Sequence, residues 1–79
     1  MKSRYFYFTF PYGHLMHGYW FKLSSSTKNG AYSIANKTFI NEKKLKCFDP
    51  KENNKVDLDK WLDQNGGYYC LDIRLEETL

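Results

Sequence analysis

Cysteine and long apolar runs are both scarce in this chain of 79 residues, and each shortage removes a class of protein. Cys47 and Cys70 allow a single pairing and form no CxxC spacing, which excludes a disulfide scaffold and the paired-thiol redox and zinc motifs. Two reduced, packed thiols in a cytoplasmic protein are the expectation. No apolar run approaches the length of a membrane span, so no membrane partner is expected. The N-terminus, MKSRYFYFTF, has polar aromatics where a signal peptide needs a continuous apolar core and a small-residue cleavage site.

Aromatic residues are abundant. Tyr, Phe and Trp number 15 against 14 Leu, Ile, Val and Met, so rings must supply much of any core. A domain this small removes only about 60–65% of its unfolded surface from water, and not every ring fits inside. The stretch RYFYFTFPY sorts them: Phe6, Phe8 and Phe10 share one parity, and Tyr5, Tyr7 and Thr9 share the other. In a strand, successive side chains point to opposite faces. The alternation therefore predicts a buried phenylalanine face and an open hydroxylated face.

Charge is unevenly laid out. Residues 1–48 carry eight basic side chains against Glu42 alone, whereas residues 49–79 carry four basic and eight acidic ones. Such asymmetry favours a dipolar surface able to steer a charged partner, provided the two halves stay apart in space.

Residues 4–11 read as a strand, PYGHLMHG as a turn and HGYWFKLS as a second strand. Asn29-Gly30 is a hairpin signal, predicting a third strand through Tyr32 and Ile34 towards Phe39. Asn41–Phe48 fits either a short helical turn or a strand, and Asp49-Pro50 with Glu52 fits a capped turn. VDLDKWLDQNGG is the clearest helix, with Leu58, Trp61 and Leu62 on one face and Gly66 at its C-terminal cap. YYCLDIRLEE alternates as a final strand, with Tyr69, Leu71, Ile73 and Leu75 on one side. The fold expected is α+β in a single domain spanning 1–79. It consists of a small antiparallel sheet of about four strands with one helix packed on one face, in the order β-β-β-α-β.

A sheet covered on one side leaves the other wet. Tyr5, Tyr7 and Trp20 then form an exposed aromatic patch with Lys22 beside it, and Lys43, Lys44 and Lys46 add further positive charge. These seven are the candidate partner-binding residues. The patch suits a protein partner, because Tyr and Trp combine area with a hydrogen-bonding end. It also suits single-stranded nucleic acid, whose bases stack on sheet-surface rings, although ten of the twelve basic residues are lysines, poorly matched to planar base readout. The same rings serve equally well to support the fold or to be covered in a homodimer.

Sites for chemistry are thin. His14 and His17 in HLMH have no carboxylate or thiol nearby in sequence to complete a metal set. Cys47 follows Lys43, Lys44 and Lys46, which would depress its pKa, but no general base accompanies it. Asp57, Asp59 and Asp63 read as the solvated side of the helix. No catalytic residue, metal or cofactor is expected.

Lys outnumbers Arg ten to two, Asn appears six times and Ala twice, a bias that A/T-rich coding produces and many phage genomes share. In length, solitary domain and lack of catalytic motif the chain resembles the small phage proteins that disable host defences, including anti-CRISPR proteins. The resemblance rests on general character and carries over no functional residue. It implies a non-enzymatic inhibitor that docks on a host protein or nucleoprotein complex in the host cytoplasm. Nucleic-acid mimics of that group are strongly acidic, whereas this chain has a net charge of +3. A single-strand-binding protein is the alternative, and a small ribonuclease toxin a further one that lacks an evident acid–base set.

Overall fold

A computed structural model describes residues 2–39 and 45–73, and the backbone of 75–76. The chain runs β1 (Arg4–Thr9), β2 (Gly18–Ser25), α1 (Lys28–Thr38), β3 (Lys46–Phe48), α2 (Leu58–Gln64), β4 (Gly67–Cys70) and β5 (Leu75–Glu76). The α+β class holds, but the sheet is mixed and the described residues form two helices. The strand order is β3-β1-β2-β4, with β5 also pairing β2. β1 is antiparallel to both β2 and β3, whereas β4 and β5 run parallel to β2. A parallel neighbour needs a long crossover, and α1, β3 and α2 all lie within this one.

The expected third strand is helical. Thr27 caps α1, its hydroxyl accepting from the Gly30 N–H at 3.0 Å, and Ser25 Oγ donates to the Thr27 carbonyl at 3.0 Å. Asn29-Gly30 thus sits in a first helical turn rather than in a hairpin. Ala31 and Ala35, four apart, are both buried. Their small side chains let the helix backbone come close to a sheet whose inner side chains are already large.

The phenylalanine parity is borne out. Phe6, Phe8, Phe10, Phe21 and Leu23 are fully or almost fully buried, and each such side chain contributes about 1.5–3 kcal/mol. Phe8 stacks on Phe21 at 5.3 Å, and Tyr32 of α1 meets Phe8 edge-on at 5.4 Å. Phe39 closes over Phe10 and Phe21, with both centroid separations 5.0 Å. Leu71 and Ile73 pack against this core as expected, but the last strand breaks between β4 and β5.

The helix expected to cover that face lies elsewhere. α2 packs on the opposite face, where buried Leu62 lies over the Thr9 end of the sheet and Trp61 meets Phe48 at 5.3 Å. Gly66 ends it with φ +77°, as its cap position required. Gly67 lets the layers meet: a Cβ there would stand 2.9 Å from Leu62 Cδ2 and 3.0 Å from Thr9 Cγ2. Beyond β3, Asp49 makes a two-point contact with Arg4, at 2.9 and 3.3 Å, and accepts the Lys51 N–H at 3.0 Å.

Candidate interaction surface

On the face shared with α2, β1 contributes Tyr5, Tyr7 and Thr9, while β2 contributes Trp20 and Lys22. The register sets Tyr7 opposite Lys22 and Phe48, and Thr9 opposite Trp20 and Lys46. Directly opposed residues share a face. A row of rings therefore crosses three strands and reaches α2. Trp20 and Tyr7 are 6.0 Å apart, Tyr7 and Phe48 6.2 Å, and Phe48 and Trp61 5.3 Å. Trp20 and Tyr7 are half-buried in this row, so they support the packing of α2 as well as presenting surface.

The uncovered part is narrower than the sequence alone implied. Thr9 is fully buried under α2, whereas Tyr5 is 51% exposed and Lys22 is exposed. Lys22 Nζ stands 4.6 Å from the Tyr5 ring centroid, a contact worth about 0.5–1 kcal/mol at an exposed site. Next to Tyr7 the surface dips into an open cleft of about 390 Å³. Phe48, Pro50, Val56 and Leu58 give it apolar walls, and Asn53 and Asn54 add amides. Sequence reasoning missed Phe48, Trp61 and this loop wall, because the pairing of β3 with β1 joins them to Tyr7 across more than forty residues.

The expected lysine group separates. Lys22 remains beside Tyr5, but Lys46 lies at the far end of the sheet, next to Thr9 and in a second cleft. Lys43 and Lys44 lie outside the described residues.

Burial pushes the Cys47 thiol up to about 12, with Lys28 opposing only in part. Cys47 is half-buried and Cys70 exposed rather than packed. They stand on opposite outer strands, three inter-strand spacings or about 14 Å apart, beyond disulfide reach. Burial also pushes the Asp49 carboxyl up, but the Arg4 hydrogen bond, the Lys51 N–H and the Arg4 charge outweigh it and hold the group below its ordinary value. Lys28 is raised, chiefly by its hydrogen bond to Glu52 at 2.9 Å.

The histidines are tied locally. His14 Nδ1 accepts the Met16 N–H at 2.9 Å, and His17 Nδ1 lies 3.3 Å from the Phe10 carbonyl oxygen. Among the described residues no three His, Cys, Asp or Glu side chains gather as a metal set, and no helix is long and apolar enough to cross a membrane. Compared with known protein families, curated proteins and solved structures, the chain matches none.

Proposed function

We propose that the chain is a non-enzymatic protein-interaction module, a stoichiometric inhibitor of phage type that docks on a host defence complex and blocks it. The observation that carries the docking role is the strip of sheet that α2 leaves uncovered. There Tyr5 and Lys22 stand exposed beside half-buried Tyr7 and Trp20, and the strip continues into the cleft beyond Phe48, whose walls mix apolar side chains with Asn53, Asn54 and Asp57. Geometry favours a protein over stacked bases. The Lys22 ammonium already occupies the Tyr5 ring, and Tyr7 and Trp20 are tilted by 51° instead of offering parallel platforms. Rings with polar tips at the centre of an open face are the usual anchors of a protein interface. The phage setting rests on small size and the lysine- and asparagine-rich composition.

The test is capture from a bacterial host lysate with tagged wild type and with Tyr5→Ala/Lys22→Glu, two exposed changes that leave the core intact. A discrete complex of fixed stoichiometry should survive nuclease with the wild type and be lost with the variant. Loss of all partners on nuclease treatment would support single-strand binding instead. Equal capture by the variant would remove this face from the interaction.

A further inference from the structure

The second cleft, about 380 Å³ in volume, gathers residues that the sequence scatters. Tyr12 and His17 come from the turn between β1 and β2, Lys46 from β3, Asp63 and Gln64 from the end of α2, and Tyr68 from β4. This cleft provides the grouping of imidazole, cation and carboxylate that linear spacing could not reveal.

Each member is set for a different chemical task. A carbonyl can only accept, so the contact of His17 Nδ1 with the Phe10 oxygen at 3.3 Å places a proton on Nδ1 and leaves Nε2 as the other polar atom of the ring. The ring is held in place: Tyr12 meets it edge-on at 5.4 Å, and a Cβ on Gly66 would lie only 2.6 Å from its Cε1. Glycine at that position both permits the positive φ and makes room for the imidazole. Lys46 and Asp63 are exposed, and among the described residues neither is held in an ion pair. Tyr12 is 93% exposed and Tyr68 61% exposed at the rim.

The complementary ligand carries an anionic group for Lys46, a flat ring for the tyrosines, and hydroxyls that donate to the Asp63 carboxylate. We propose that this cleft binds a ribonucleotide, with Lys46 at the phosphate, Tyr12 and Tyr68 against the base, and Asp63 accepting from the ribose diol. The cleft falls within the size range of small-ligand sites. Ring stacking and carboxylate-to-ribose hydrogen bonds are the ordinary means of nucleotide recognition. This site is distinct from the docking strip around Tyr5 and Lys22.

The test is titration of the ¹⁵N-labelled chain with adenosine 5′-monophosphate, its 2′-deoxy analogue, inorganic phosphate and a short oligoadenylate. The ribonucleotide should shift the amide signals of His17, Lys46, Asp63, Gly66 and Tyr68. Lys46→Met should weaken binding about tenfold, the worth of one charged hydrogen bond. Asp63→Asn should abolish the preference for ribose over deoxyribose, while Tyr5→Ala/Lys22→Glu should bind as wild type does. Tighter binding of the oligonucleotide would assign an RNA strand as the source, and equal binding would assign the free nucleotide. Shifts elsewhere, no shifts, equal binding of inorganic phosphate, or an unchanged response in both cleft variants would overturn the assignment.

Discussion

Thr9 is expected to be better replaced by valine. Its side chain is fully buried between the sheet and α2, and Oγ1 meets no hydrogen-bond partner among the described residues. A buried hydroxyl left unpaired costs about 1–3 kcal/mol in desolvation. Thr9→Val keeps the branched shape and the methyl that faces Gly67, and β-branched residues suit a strand. Replacing the hydroxyl by a methyl should therefore raise stability by about 1 kcal/mol, lifting the melting temperature of a domain this size by about 4–8 °C. Thr9→Ser is the counterpart: it keeps the unpaired hydroxyl and deletes the methyl, so it should lose about 1 kcal/mol. Urea unfolding followed by circular dichroism measures both, and an unchanged denaturant slope confirms that the same surface is exposed on unfolding. The reasoning is refuted if Thr9→Val destabilises by about 1 kcal/mol or more while Thr9→Ser is neutral, since the hydroxyl would then be making a bond that the methyl cannot replace.

Phe8, fully buried between Phe21 and Tyr32, should cost about 3–5 kcal/mol when truncated to alanine. A chain of this length is stable by only about 4–12 kcal/mol, so thermal melts should find Phe8→Ala unfolded or nearly so; a cooperative transition close to wild type would contradict the core as described. Asp49 predicts an acid-side loss of stability. Its folded carboxyl lies below the ordinary aspartate value of about 3.9, so its contribution is complete above that pH and disappears as pH falls through the lower folded value. Arg4→Met removes the principal group holding it down, and urea midpoints followed from about pH 5 to about pH 2 should then fall less steeply than in wild type.

Much of the local architecture was legible because it depends on period. The side-chain alternation of a strand is set by the pleat, so Phe6, Phe8 and Phe10 against Tyr5 and Tyr7 could be sorted to two faces without knowing what lay over either. α2 was similarly readable from Leu58, Trp61 and Leu62 with Gly66 beyond. α1 was misread because Asn29-Gly30 is a strong local turn signal. The competing evidence lay in Thr27 as a cap and in the chain's only two alanines at a spacing of four, significant mainly once a crowded phenylalanine face needs a slim helix above it.

Sequence by itself therefore determined which residues share a face within β1, where α2 runs and stops, and that rings would dominate the core. Tertiary structure decided which helix covers which face, that the final strands join the sheet parallel to β2, and that Thr9 is buried while its parity partner Tyr5 is open. It also decided that Lys46 leaves Lys22 to meet His17 and Asp63 in another cleft. The physical reason is range. Pleat and helix period act over a few residues, whereas covering a face depends on where a long crossover returns and on the steric fit at contacts such as Gly67 against Leu62 and Thr9.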